Sequence, residues 1–277
     1  MASDLASATS DRLQLEACGL YCALMRDAPR VNAGDQEKEP TLGGKLLYAG
    51  EMDLHGRALV IAGNVSGCAT LAAAADLAAQ KLAIRDGVVD FVVTSLDEAL
   101  RILKNEVRKC ATVAVCVGAA TTSVEREMIE RGVLPDLVFE GLPGERRDVP
   151  DFGAAFGSGL NSGSRKIELT APDPGLAFVT WQAAQAAARW MPRLDAIAQD
   201  CLSSDRRAQR WIRLSPLYCG RSAQARRVLY CEQDLATQII SRFDAHVKDG
   251  EIETEVSAGW AIGDKTEVFR FVPVTTA

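Results

Sequence analysis

From residue 57 to residue 140, apolar runs too short for helices alternate with segments of strong helical pattern, and few folds accommodate that alternation. Arg57-Ala-Leu-Val-Ile-Ala62 reads as a strand, Gly63-Asn-Val-Ser-Gly67 as a tight turn, and the alanine-rich residues 68 to 83 as a helix. The pattern then repeats. Val88 to Thr94 reads as a buried strand, and Ser95-Leu-Asp-Glu98 has the form of a capping box opening a helix with Leu96, Leu100, Leu103 and Val107 on one stripe. Thr112 to Val117 is a further strand ending in Gly118. Thr122-Ser-Val-Glu125 reads as a second capping box whose helix Gly132 closes, and Pro135 to Phe139 is the fourth strand. Strands apolar throughout and separated by helices predict an α/β parallel sheet covered on both faces, with right-handed crossovers.

Strand, glycine-bearing turn and helix is the order in which α/β proteins offer backbone N–H groups to an anion. Gly63, Asn64, Ser66, Gly67 and Cys68 are therefore the candidate cofactor loop, with Gly118 expected beside it on the neighbouring strand end. The same glycines also serve a purely structural turn, and the sequence leaves both readings open. Cys68, at the expected helix start, is a candidate thiolate or a packed side chain, and no histidine is placed to act as its base.

Residues 88 to 138 (VVDFVVTSLDEALRILKNEVRKCATVAVCVGAATTSVEREMIERGVLPDLV) and residues 54 to 74 (LHGRALVIAGNVSGCATLAAA) resemble the NAD-binding domain of urocanase, urocanate hydratase. The resemblance implies a Rossmann-like fold and NAD as a cofactor. It implies a hydro-lyase in which NAD+ acts as an electrophile on an imidazole ring. The chain departs from the family in its loops. Its turn is poorer in glycine and lacks the Gln-Pro pair, and Gly118-Ala-Ala120 stands where the family has Gly-Asn. Residues 80 to 85 run almost directly into Val88, leaving no room for a further strand ending in an acidic ribose partner. The expectation is a urocanase-like scaffold binding a nucleotide or another small anion, without urocanate hydratase activity. The alternative is a compact NAD-dependent hydro-lyase acting on an imidazole-like substrate.

Beyond Phe139 the reading is coarser. Residues 141 to 165 have the composition of a linker, Gly157 to Ser164 most of all. Lys166 to Thr170 reads as a strand, Asp173-Pro174 as the start of a helix reaching Trp190, and Pro192 as its break. Ser203 and Ser204 open another helical piece that ends at Leu214. Arg226 to Cys231 is a strand and 233 to 248 a well-patterned helix stopped by Gly250. Residues 252 to 256 alternate as a strand, and Gly263-Asp264 turns the last two strands into a hairpin. Ahead of the core, Asp11 reads as the cap of a short helix carrying Leu13, Leu20, Tyr21 and Leu24 inward. The expected domains are 1–41 (helix and loop), 42–150 (Rossmann-like), 151–165 (linker) and 166–277 (α+β).

With 48% hydrophobic and 25% charged residues and a net charge of −6, the composition suits a globular protein and gives no global reason for nucleic acid or anionic membrane as partner. No apolar run reaches membrane-spanning length, and no export signal opens the chain. Eight cysteines lie scattered without CxxC pairs, so reduced thiols and a cytoplasmic location are expected, with no metal site. Nine arginines between Arg189 and Arg227 form a basic segment. Solvated or paired surface arginines, a small anion site and a nucleic-acid contact are its three readings, in that order. A small anion and a second copy of the chain are the partners left open.

Overall fold

A computed structural model describes residues 2–26, 39–139, 141–142, 145–146, 165–167, 175–220 and 224–273. The chain divides into two compact units, one formed by Leu20–Thr170 and the other by Met1–Gly19 with Ala171–Ala277. Helix α1, Ala2–Met25, contributes to both, and it starts well before Asp11. The expected inward residues Leu13, Leu20, Tyr21 and Leu24 are all buried.

In the first unit the order is β1 (Leu46–Glu51), α2 (Leu54–Ser66), β2 (Ala69–Ala73), α3 (Leu77–Arg85), β3 (Phe91–Val93), α4 (Leu96–Arg108), β4 (Val113–Val117), α5 (Thr121–Glu130) and β5 (Leu137–Phe139). A two-residue hairpin, β6 (Gly141–Leu142) with β7 (Glu145–Arg146), and strand β8 (Arg165–Ile167) follow. Six strands pair in the order β3-β4-β2-β1-β5-β8, every pair parallel. The parallel α/β fold is as predicted, and β3, β4 and β5 fall where the sequence placed them. Gly157 to Ser164 lies outside the described residues.

One quarter of that reading is corrected. Residues 58 to 62 are not a strand but the middle of α2, and 68 to 83 hold strand β2 as well as most of α3. A short apolar run buried on every side has the same composition in either state. Residues Ala58 to Ser66 are all buried. Capping decides the outcome. Asp53 accepts from the Gly56 N–H at 2.8 Å, and Gly67 ends the helix at φ 91°. The alanines of β2 are buried along its whole length, where small side chains let helices pack closely on both faces. Thr122 is likewise no cap. α5 starts at Thr121 after Ala120, without a side-chain cap. The box at Ser95 does form, its hydroxyl accepting from Glu98 N at 3.3 Å.

The second unit adds β9 (Leu176–Ala183), α6 (Ala187–Cys201), α7 (Arg206–Tyr218), β10 (Arg226–Glu232), α8 (Gln233–Lys248), β11 (Val256–Ile262) and β12 (Lys265–Phe271). Its antiparallel sheet runs β10-β9-β11-β12. The 233–248 helix, the Gly250 terminator and the Gly263 hairpin match expectation. The helix expected before Trp190 is in fact β9, whose Ala177, Val179, Trp181 and Ala183 face inward at strand period. Pro192 lies inside α6 rather than breaking it, and α7 is capped by Asp205, not by Ser203 or Ser204. The Asp173-Pro174 start lies outside the described residues.

A buried ion pair ties this unit together. Arg227 Nη2 lies 2.8 Å from Asp195 Oδ2, and Trp181 Nε1 donates to Asp195 Oδ1 at 3.3 Å. Burial pushes the Asp195 carboxyl up to about 6, even though Arg227 and Trp181 pull it down. Its unfolded value is near 4. Between about pH 4 and 6 the folded state therefore holds a proton the unfolded chain has lost, and this group's contribution falls as pH rises through that window. Subtracting the unfolding free energies of Asp195→Asn from those of the wild type across pH 3.5–7 is expected to show that decline, flat above pH 6. A difference that rises with pH would reverse the assignment.

Candidate functional site

Parallel α/β sheets bind ligands at the carboxyl ends of their strands, where connections diverge to opposite faces. Here β1 leads through α2 to β2 on one side, while β5 lies on its other side. The turns after β1, β2 and β4 lie at this end of the sheet. The first of these is Gly50-Glu-Met-Asp-Leu-His-Gly56. Gly50 has φ 72°, and a Cβ on Gly56 would sit 1.8 Å from the Glu51 carbonyl oxygen, so α2 approaches the strand end as only glycine allows.

Asp53, Asp76 and Glu51 stand at this end of the sheet. Asp53 caps α2. Asp76, twenty residues beyond Gly56 in the sequence, caps α3 through Ala78 N at 3.0 Å and Ala79 N at 3.2 Å. Glu51 accepts from the Thr121 hydroxyl, which is thereby turned toward β1 at the start of α5. Glu125 accepts from Tyr48 Oη at 3.1 Å. Burial raises the Glu125 carboxyl, and nearby Glu51 adds to the shift against the Tyr48 bond. Burial, helped by Glu51, also pushes the Cys116 thiol up to about 12, so it is no nucleophile near neutrality.

The candidate cofactor loop is placed elsewhere. Gly63, Asn64, Ser66 and Gly67 form the last turn of α2 and its cap, and Cys68 leads into β2 at the amino end of the sheet. Their N–H groups are not open to an anion: Gly67 N donates to Asn64 O at 3.1 Å and Cys68 N to Gly63 O at 2.9 Å. Asn64 Nδ2 donates to Val88 O at 2.9 Å, and Asn64, Ser66 and Cys68 are buried. A helix C-terminus also carries the partial negative charge that disfavours anions. Gly118 alone of the six lies at the carboxyl end. Ala74 N donates to Val117 O, so Gly118 is level with Ala74 and roughly 20 Å along the sheet from Cys68.

The strand for which residues 80 to 88 leave no room lies earlier, as β2, and an acidic residue follows it. Asp76 follows β2, where dinucleotide folds hold a ribose hydroxyl. The order of elements decides the comparison. Residues 29–141 match the family model of the urocanase Rossmann-like domain. The match spans the parallel sheet from β1 to β5, while β9 to β12 lie beyond it.

A dinucleotide pyrophosphate does not fit the turn after β1. The Asp53 carboxylate already accepts the Gly56 N–H at the start of α2. Arg57, one turn into the helix, pairs with Asp86 at 2.9 Å.

Four arginines of the basic segment are paired or stacked. Arg227 is buried against Asp195. The Arg189 and Arg193 guanidinium groups lie 4.3 and 5.0 Å from the Trp190 ring, and Arg226 donates to Gln182. Among the described residues no cluster of three or more metal-ligating side chains occurs, and no helix is long and apolar enough to cross a membrane.

Proposed function

We propose that the protein is a urocanase-type Rossmann module that binds a hydroxyl-bearing, nucleoside-like ligand and does not hydrate urocanate. The crevice after β1, β2 and β4 is its site. The observation that carries this reading is the closure of the α2 N-terminus by Asp53, with Glu51 and Asp76 at the same sheet end. Carboxylates accept hydrogen bonds from hydroxyl and N–H groups and repel phosphate. Asp76 is the acceptor for a ribose diol. An NAD-dependent hydro-lyase would need the pyrophosphate cradle that Asp53 fills.

Two measurements test this. Urocanate with NAD+ is expected to show no loss of urocanate absorbance above background, and sustained turnover would overturn the proposal. In thermal shift, adenosine is expected to raise Tm, while inorganic phosphate and NAD+ raise it less. Asp76→Ala should abolish the adenosine shift. A larger shift with NAD+ than with adenosine would restore the dinucleotide reading.

A further inference from the structure

Helix α3 turns one polar side chain inward. Gln80 is 9% exposed, and with Ala83 it is all that the helix buries. Its amide reaches back to the end of β2, where Nε2 donates to Ala74 O at 2.8 Å. A peptide carbonyl can only accept, so this bond fixes which end of the amide faces the strand. Oε1 is left as an acceptor, and among the described residues it has no hydrogen-bond partner. A nearly buried acceptor left unpaired is a standing cost that the N–H of a ligand would remove.

The amide lies over Gly118, the residue that follows β4. A Cβ on Gly118 would sit 3.3 Å from Nε2 and 3.5 Å from Oε1, so the missing side chain leaves the amide its place. Ala74 and Gly118 are level across the sheet. Ala74 N donates to Val117 O at 3.0 Å, and Gly118 N donates to Val93 O at 2.8 Å. Gln80 therefore stands at the carboxyl ends of β2 and β4, one helical turn beyond Asp76, whose carbonyl accepts the Gln80 N–H at 3.1 Å.

The order of strands says which part of a nucleoside arrives there. From β1 toward this edge the sheet runs β1, β2, β4. In folds of this kind the phosphate end of the ribose is directed to the turn after the first strand, while the acidic residue after the second holds the diol. A ribose held by Asp76 then sends its base the other way, over the end of β4 and onto Gln80.

Resting on the nucleoside reading, we propose that Gln80 Oε1 receives an N–H of the base, so that the site selects amino-bearing nucleosides. An analogue without that N–H leaves Oε1 unpaired once water is displaced, and a base with a carbonyl there sets two acceptors against each other. A group fixed in advance to hydrogen-bond its ligand discriminates more sharply than an apolar wall does.

The test is isothermal titration calorimetry of the full chain with three nucleosides. Adenosine carries the amine, purine riboside lacks only that amine, and inosine has a carbonyl in its place. Wild type is expected to bind adenosine about tenfold tighter than either, or more. Gln80→Met keeps the length of the side chain but offers no comparable acceptor, and should bring adenosine to within about threefold of purine riboside. Gly118→Ala leaves Gln80 in place but crowds its amide, and should narrow the same ratio with circular dichroism unchanged. A wild type that does not bind adenosine would remove the nucleoside site, and this assignment with it. Adenosine binding that is lost in Asp76→Ala, yet is no tighter than that of purine riboside, would overturn the role of Gln80 alone. So would a preference for adenosine that survives undiminished in Gln80→Met.

Discussion

Replacing Gly56 by alanine is expected to destabilise the first unit by about 3 kcal/mol or more, the upper range for a single methyl group. The added Cβ would lie 1.8 Å from the Glu51 carbonyl oxygen and 3.5 Å from that of Ala49. Both neighbours are backbone, so no side chain can swing aside. Either α2 lifts from the end of β1 or the turn between them deforms. Gly19, in α1, supplies the control: a Cβ there meets nothing within 4 Å. Gly19→Ala should stabilise by roughly 0.5–1 kcal/mol through helix propensity and a less free unfolded chain. Urea unfolding of the two variants should therefore move in opposite directions. A Gly56→Ala midpoint within error of wild type would mean that α2 does not dock as described.

Asp195→Ala is expected to cost about 3–5 kcal/mol, because it strands a guanidinium that is 5% exposed. It also leaves the Trp181 indole N–H without its acceptor. Replacing both members of the pair, as Asp195→Leu/Arg227→Met, should recover most of the loss, since no buried charge then remains. Thermal unfolding of the two variants separates the cost of an orphaned charge from that of altered packing. A double variant as unstable as Asp195→Ala would show that the site tolerates no apolar replacement of either side chain.

The sequence made some elements plain and concealed others for a definable reason. Helix α4 was legible because its stripe of Leu96, Leu100 and Leu103 and its Ser95 cap agree. α8 was legible because its buried Ile239, Phe243 and Val247 fall at helical spacing ahead of Gly250. Amphipathic elements announce their period. α2, β2 and β9 did not. α2 and β2 are buried nearly throughout, so composition carries no phase, and alanine in β2 argues for helix when it only permits close packing. The signal that separates them was present in Asp53, whose capping role fixes the start of α2 and makes Leu46–Glu51 the first strand. Once that strand is shifted, the expected ligand loop moves to the amino end of the sheet, and Asp76 to the carboxyl end. In β9, the alternation of Ala177, Val179 and Trp181 was masked by the alanines that follow it.

On the proposed reading, ligand binds at the carboxyl ends of β1, β2 and β4, and not at Gly63 to Cys68. Hydrogen exchange followed by mass spectrometry, with and without saturating adenosine, tests it most directly. Slowed exchange is expected in peptides covering 50–56, 74–79 and 118–123, with 63–68 unchanged. Protection confined to 63–68 would contradict the claim.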